Sequence, residues 1–230
     1  MHDAHFHYSP EIARLQKENG IPGLCNVQNA QEEREVKEAG LLYSVGVHPW
    51  DADRIRLKEM EGLLEEAPVI GEIGMDNVWC DTDLSVQRDV FVAQIQFAAR
   101  HGKPVILHTK GMEREILDII RQYPNTYIVH WYSAMEYLQE YDAVASYFTV
   151  GPSVGTDPAV TQLAEKVSME KLLMESDGLD AIEWAVGNRD YIDTLKHAAA
   201  QIARIKGLSY GQAEAWLDEN FAALLQRVCS

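Results

Sequence analysis

The sequence predicts an α/β fold, a single (β/α)8 TIM barrel, with residues 1–230 forming one domain. Eight short apolar, β-branched runs recur along the chain with helical patterns between them, as parallel strands joined by helical crossovers do. No composition break, linker or internal repeat divides the chain. The unusual polar residues gather at the ends of the apolar runs, where barrel strands share a common mouth.

The first strand is DAHFH (3–7), followed by GLCNV (23–27), LLYSVGVHP (41–49) and PVIGEIGMD (68–76). After these come PVILHTKG (104–111), NTYIVHWYSA (125–134), YFTVGPSVG (147–155) and KLLMESDG (171–178). The helical segments follow the 3.6-residue period. Phe91, Ile95, Ala98 and Ala99 share one face, and His101-Gly102 supplies a stop. Met112, Ile116, Ile119 and Ile120 repeat that spacing. Ser209 and Gln212 form a capping box ahead of a stripe of Ala213, Trp216, Leu217, Phe221 and Leu224.

Composition narrows the classes. Hydrophobic residues at 47% and charged residues at 24% fit a globular chain. No apolar run approaches the roughly 20 residues that span a bilayer. No secretory signal is evident, so no membrane association is expected. Three cysteines, Cys25, Cys80 and Cys229, show no paired spacing, which fits reduced thiols in the cytoplasm. The formal net charge of −16 argues against a basic face gripping a long nucleic acid. It leaves room for a protein that attacks a phosphodiester through bound cations.

His5 and His7 lie two residues apart and so on one face of the first strand. Later strands end at or carry His48, Glu72, His108, Lys110, His130 and Asp177. Histidines and carboxylates are costly in apolar strands unless paired or metallated, and from separate strands they converge on divalent cations. His48 precedes Pro49 and equally suits a strand cap. Asp3 and Glu175 each stand two residues before a polar strand-end residue, Asp3 before His5 and Glu175 before Asp177. They are expected to point inward below these, either orienting a ligating imidazole or forming a buried ion pair. His2, His101 and His197 are expected at the surface. Trp79 and Cys80 fall in a polar loop, where substrate contact is the lesser reading beside a purely structural one.

These motifs resemble, in order along nearly the whole chain, the TatD family of metal-dependent hydrolases within the amidohydrolase-like barrels. The resemblance is carried by DAHFH, VGVHP, GEIGMD with QRDVFVAQ, VILHTKG, VHWYSA, LLMESDG and ENFAALL. It implies two divalent ions, Mg²⁺, Mn²⁺ or Zn²⁺. His5, His7 and Asp177 would hold one; His108 and His130 would hold the other, with Glu72 bridging. It further implies a hydrolase of ester bonds, a phosphodiesterase acting as a deoxyribonuclease or 3′ exonuclease on nucleic-acid ends through a two-metal-activated water. In that chemistry Asp177 would be the general base, and His48 and Lys110 would contact substrate. A small phosphoester, or a carboxylic ester, lactone or amide, is the alternative substrate. No obligate protein partner is implied. The sequence departs from the family pattern after strand six, where Trp131 follows His130, and in loop 178–191. Both lie on the mouth, so they bear on substrate rather than on metal.

Overall fold

The computed structural model describes residues 1–228; Cys229 lies outside the described residues, and Cys25 and Cys80 are unpaired thiols. The chain alternates β1 (Asp3–His7), α1 (Pro10–Asn19), β2 (Gly23–Val27), α2 (Ala30–Ala39), β3 (Leu42–Val45) and α3 (Glu61–Glu66). It continues through β4 (Val69–Asp76), α4 (Leu84–His101), β5 (Val105–Lys110), α5 (Glu113–Ile120), β6 (Tyr127–Val129) and α6 (Leu138–Asp142). It ends with β7 (Tyr147–Val150), α7 (Pro158–Lys166), β8 (Leu172–Met174), α8 (Leu179–Val186), α9 (Tyr191–Lys206) and α10 (Tyr210–Val228). The eight strands pair in chain order into one parallel sheet, which curls into a nearly closed barrel. At the β8–β1 seam, Asp177 N–H donates to the His5 carbonyl at 3.1 Å.

Apart from the polar residues they carry towards the barrel mouth, the strands are largely apolar on both faces because each face meets protein. Phe6, Val27, Ile73, Leu107, Phe148 and Met174 pack into the layer between strands and helices. Leu24, Val69, Ile106, Ile128, Tyr147 and Leu173 fill a second cluster, to which α10 contributes Phe221 and Leu224. This helix is set by its capping box, in which the Ser209 N–H donates to Gln212 Oε1 at 3.0 Å. Ala213, Leu217, Phe221 and Leu224 are buried as the stripe predicts, but Trp216 is 40% exposed. It sits roughly 100° round the helix from Leu217 and falls off the packed face. Helix α4 stops where expected, with Gly102 left-handed at φ 64°. Met112 stands just outside α5, at its N-cap. Among the described residues no helix is long and apolar enough to cross a membrane.

Strands three, six, seven and eight are shorter than their apolar runs. Pro49 opens a 3₁₀ turn over Pro49–Asp51, while His130 and Asp177 lie just past β6 and β8. His2 is fully buried, contrary to the surface position expected of it. Its ring stacks on Phe221 at 4.5 Å and lies 2.9 Å from an Asp218 oxygen.

Candidate metal centre

Beyond the apolar layer, β1, β4, β5 and the turns after β3, β6 and β8 bring His5, His7, His48, Glu72, His108, His130 and Asp177 into one cluster. Glu72 is its hub. Oε2 lies 3.4 Å from His5 Nε2 and 3.4 Å from His7 Nε2, and the same nitrogens stand 3.4 and 3.5 Å from Asp177 Oδ1. The other oxygen, Oε1, lies 3.4 Å from His130 Nε2, 3.7 Å from His48 Nε2 and 2.6 Å from His108 Nδ1. His48, expected beside the substrate, therefore also stands among the donors. It caps its turn as well, since Nδ1 accepts the Trp50 N–H at 3.3 Å.

These residues fit divalent ions. An ion with tetrahedral bonds of about 2.0–2.1 Å sets its ligand atoms about 3.4 Å apart, the spacing found around Glu72 Oε2 and Asp177 Oδ1. His5 Nε2 and Asp177 Oδ1 are buried without a hydrogen-bond partner, a costly state for polar atoms that nothing else satisfies. Charge follows the same logic. Burial works against the His5 cation, yet Asp177 and Glu72 beside it raise its pKa well above the usual value. Burial opposes charge on His108 too, but Asp76 and Glu72 bring it up to about 9. Burial would raise the Glu72 carboxyl, and the surrounding imidazoles hold it well below the usual range. The cluster is thus built to hold positive charge at its centre.

The supporting contacts explain sequence features that carried no chemistry of their own. Gln87, Phe91 and Gln94 occupy one face of α4. Gln87 accepts the Asp76 N–H at 2.8 Å and donates to the Asp76 carbonyl at 3.0 Å. Gln94 accepts the Val47 N–H at 2.7 Å and donates to the Val47 carbonyl at 3.1 Å, fixing the chain just before His48. Asn26, the polar residue of β2, accepts the Glu72 N–H at 2.7 Å. Asp76 lies 3.1 Å from His108 Nε2 and accepts the Trp50 indole N–H at 2.7 Å. Asn26 and Asp76 were legible in principle. One is a lone amide in an apolar strand; the other shares Glu72's face by strand parity.

Glu175 Oε2 lies 2.8 Å from His130 Nδ1, the imidazole contact that its position suggested. Asp3 makes neither of its expected contacts. It accepts from Ser176 N–H at 2.9 Å, Ser176 hydroxyl at 2.6 Å and Tyr191 hydroxyl at 3.0 Å. Burial pushes its carboxyl up to about 7, against those three bonds. A bulge between Asp3 and Phe6 breaks the strand alternation, so Asp3 steadies the turn carrying Asp177 instead of an imidazole. Asp177 itself has φ 58°, a left-handed backbone that is strained for a residue with a side chain.

Above the cluster opens a cavity of about 610 Å³ lined by His7, His48, Lys110, Trp131, Asp177 and Trp184, among others. Lys110 Nζ donates to Ser133 Oγ at 2.8 Å. Trp79 lines it too, while Cys80 lies behind, its thiol 3.7 Å from the Pro49 carbonyl.

Histidine and carboxylate donors gathered at the mouth of a (β/α)8 barrel define a metal-dependent hydrolase. The family model described as TatD related DNase matches residues 2–226, and the chain belongs to that family. The metal-dependent hydrolase YabD of Bacillus subtilis (strain 168) is 24% identical over 205 residues, 83% of this chain and 80% of that protein. The 3′-5′ RNA nuclease TATDN2 of Homo sapiens is 24% identical over 211 residues, 84% of this chain and 28% of that protein. The crystal structure of YjjV, a TatD homologue from Escherichia coli K12, shares the fold with a TM-score of 0.81 at 20% identity, covering 96% of this chain and 95% of that one.

Proposed function

We propose that this hydrolase is a cytoplasmic phosphodiesterase that removes nucleotides from the ends of DNA strands as a 3′ exonuclease. The observation that carries the reading is Glu72, whose two oxygens face two separate groups of imidazoles. The family's description as a DNase and the human relative's as a 3′-5′ RNA nuclease support phosphodiester chemistry. His5, His7 and Asp177 would hold one divalent ion, and His108 and His130 a second, with Glu72 serving both. Such ions, when bound, polarise a phosphoryl group and bring the pKa of water towards neutrality.

The chain's own residues supply the remaining steps. Asp177, at the cavity wall, accepts the proton of the attacking water as general base. Lys110 places its ammonium as a point charge against a phosphoryl oxygen. His48, whose Nδ1 accepts the Trp50 N–H, carries its ring proton on Nε2 and donates a hydrogen bond to a substrate oxygen. Glu175 holds His130 by Nδ1, leaving Nε2 directed at Glu72. As the new P–O bond forms, the P–O3′ bond breaks and the proton taken by Asp177 is passed on to the departing oxygen.

A small carboxylic ester, lactone or amide is the second reading, favoured by an acidic mouth. Asp51, Glu72, Asp157 and Asp177 line the cavity against one ammonium, Lys110. The deciding experiment strips the protein of metal, reloads Mg²⁺, Mn²⁺ or Zn²⁺, and offers end-labelled single-stranded DNA beside an ester panel. Progressive release of mononucleotides, absent in His108→Ala, is the expected result. Ester turnover with inert DNA selects the second reading.

A further inference from the structure

Four of the five tryptophans, Trp50, Trp79, Trp131 and Trp184, line the cavity above the ligand cluster. Trp50, Trp79 and Trp184 remain 46%, 55% and 68% exposed, a concentration of apolar surface that marks a binding site. Trp184 joins two of the others, with ring centroids 6.0 Å from Trp79 and 6.1 Å from Trp131 at steep angles.

Trp131 is fixed before any ligand arrives. Its backbone is left-handed at φ 33°, a conformation that persists only where its surroundings hold it. Its N–H donates to Thr149 Oγ1 at 3.1 Å and its indole N–H to Ser153 Oγ at 3.0 Å. A Cβ added at Gly151 would lie 2.5 Å from the indole, so only glycine lets the ring rest there. Trp50 is fixed likewise by its bond to Asp76. A rigid aromatic wall loses little entropy when it binds a planar group.

Charge decides what that group is. Proteins that track a single strand combine a basic groove with stacking aromatics. Here the aromatics are present and the basic groove is missing, since Lys110 is the one ammonium among the lining residues. A net charge of −16 further disfavours a long polyanion lying across the surface.

We infer that the tryptophan wall is a subsite for the base of a strand's terminal nucleotide, held by stacking without regard to base identity, so that short and long strands bind alike. This rests on the phosphodiesterase reading and adds to it the part of the substrate that is recognised. Trp184 is the specificity-determining residue, with Trp79 and Trp131 flanking it.

The test titrates the metal-loaded protein with thymidine 5′-monophosphate, deoxyribose 5-phosphate and maltotriose, following indole fluorescence. Saturable quenching by the nucleotide alone is expected. Trp184→Ala should weaken it about five- to 150-fold, the usual loss for one stacking aromatic. Trp184→Phe should restore it, and Trp216→Ala, on the remote α10, should leave it unchanged. In turnover, Trp184→Ala should lower the kcat/KM ratio of a base-ended over an abasic-ended strand by a similar factor, through KM. The salt dependence of strand binding should have a slope shallower than about −1.4, that of two neutralised phosphates on a single strand. Equal quenching by deoxyribose 5-phosphate, preference for maltotriose, indifference to Trp184→Ala or a steep salt slope would each overturn the proposal. Nucleotide quenching without any DNA hydrolysis would sink the phosphodiesterase reading and leave the base subsite standing.

Discussion

Glu175 shows how one buried carboxylate shapes a proposed ligand, His130, without lining the cavity. Its bond to His130 Nδ1 at 2.8 Å fixes the ring's tautomer and aims Nε2 at Glu72. Loss of such a partner typically costs 10–100-fold in metal affinity. Glu175→Gln should therefore weaken metal binding by about that factor, read by chelator competition, while the metal-free protein melts as before. Undiminished affinity would mean that His130 is oriented by something else. His2 offers a second residue-scale test, in pH. Nδ1 faces Asp218 at 2.9 Å and Nε2 accepts the Met174 N–H at 3.3 Å, so the neutral ring satisfies both neighbours. A second ring proton would point Nε2–H at an N–H donor. Burial accordingly lowers the His2 pKa from 6.5, outweighing the attraction of Asp218. The unfolded ring takes up a proton first as pH falls. The contribution is therefore complete above about 6.5 and declines as pH drops through that value towards the lower folded pKa. Subtracting the stability profile of His2→Gln, which cannot titrate, should expose that slope; parallel profiles from pH 5 to 7 would refute it.

At the scale of elements, α4 is a clamp. Gln87 and Gln94 stand seven residues apart, two turns on one face, and each binds both backbone groups of a residue beside the cluster. Gln94→Leu keeps the volume but leaves the Val47 N–H and carbonyl unpaired and buried, at about 1–3 kcal/mol for each group. A fall in Tm of several degrees is expected, with reduced turnover because Val47 precedes His48. Unchanged melting would show that water replaces the glutamine. The same scale explains how much could be read in advance. The residue bounds of β1 and β2 were legible because a buried strand is an uninterrupted apolar run with turn residues on either side. Six of the seven clustered residues were legible as candidate ligands because each interrupts or ends such a run and matches a motif of the family; His48 was legible only as a substrate contact or a cap. The ends of β6 and β8 were not, since left-handed backbone at Trp131 and Asp177 carries no glycine to announce it. Asp3 was misplaced because a bulge leaves no mark in strand alternation. Trp184, on the short helix α8, escaped notice because its meaning lies in tryptophans distant in sequence.

For the whole molecule, the barrel's weakest pairing coincides with the proposed ligands. β4 and β5 pair from Ile70↔Val105 to Asp76↔Lys110 with one register shift between Ile70 and Ile73, but β8 and β1 are joined differently. The Asp177 N–H reaches the His5 carbonyl, while the Met174 and Ser176 N–H groups are met by the side chains of His2 and Asp3. The same seam carries His5 and His7 on one side and Asp177 on the other. An ion shared by those three residues would staple the barrel shut, and metal binding and closure would then be one equilibrium. A ligand present at 100 times its Kd stabilises by about 2.7 kcal/mol, and a chain of this size shifts roughly 2–4 °C per kcal/mol. Chelation should thus lower Tm by roughly 5–10 °C. The added deuterium uptake should concentrate in residues 3–7 and 172–177, sparing the β2–β3 pair, which carries none of the proposed ligands. Uniform uptake around the barrel would mean that the ion stabilises through charge alone; no change at all would mean that the seam closes without it.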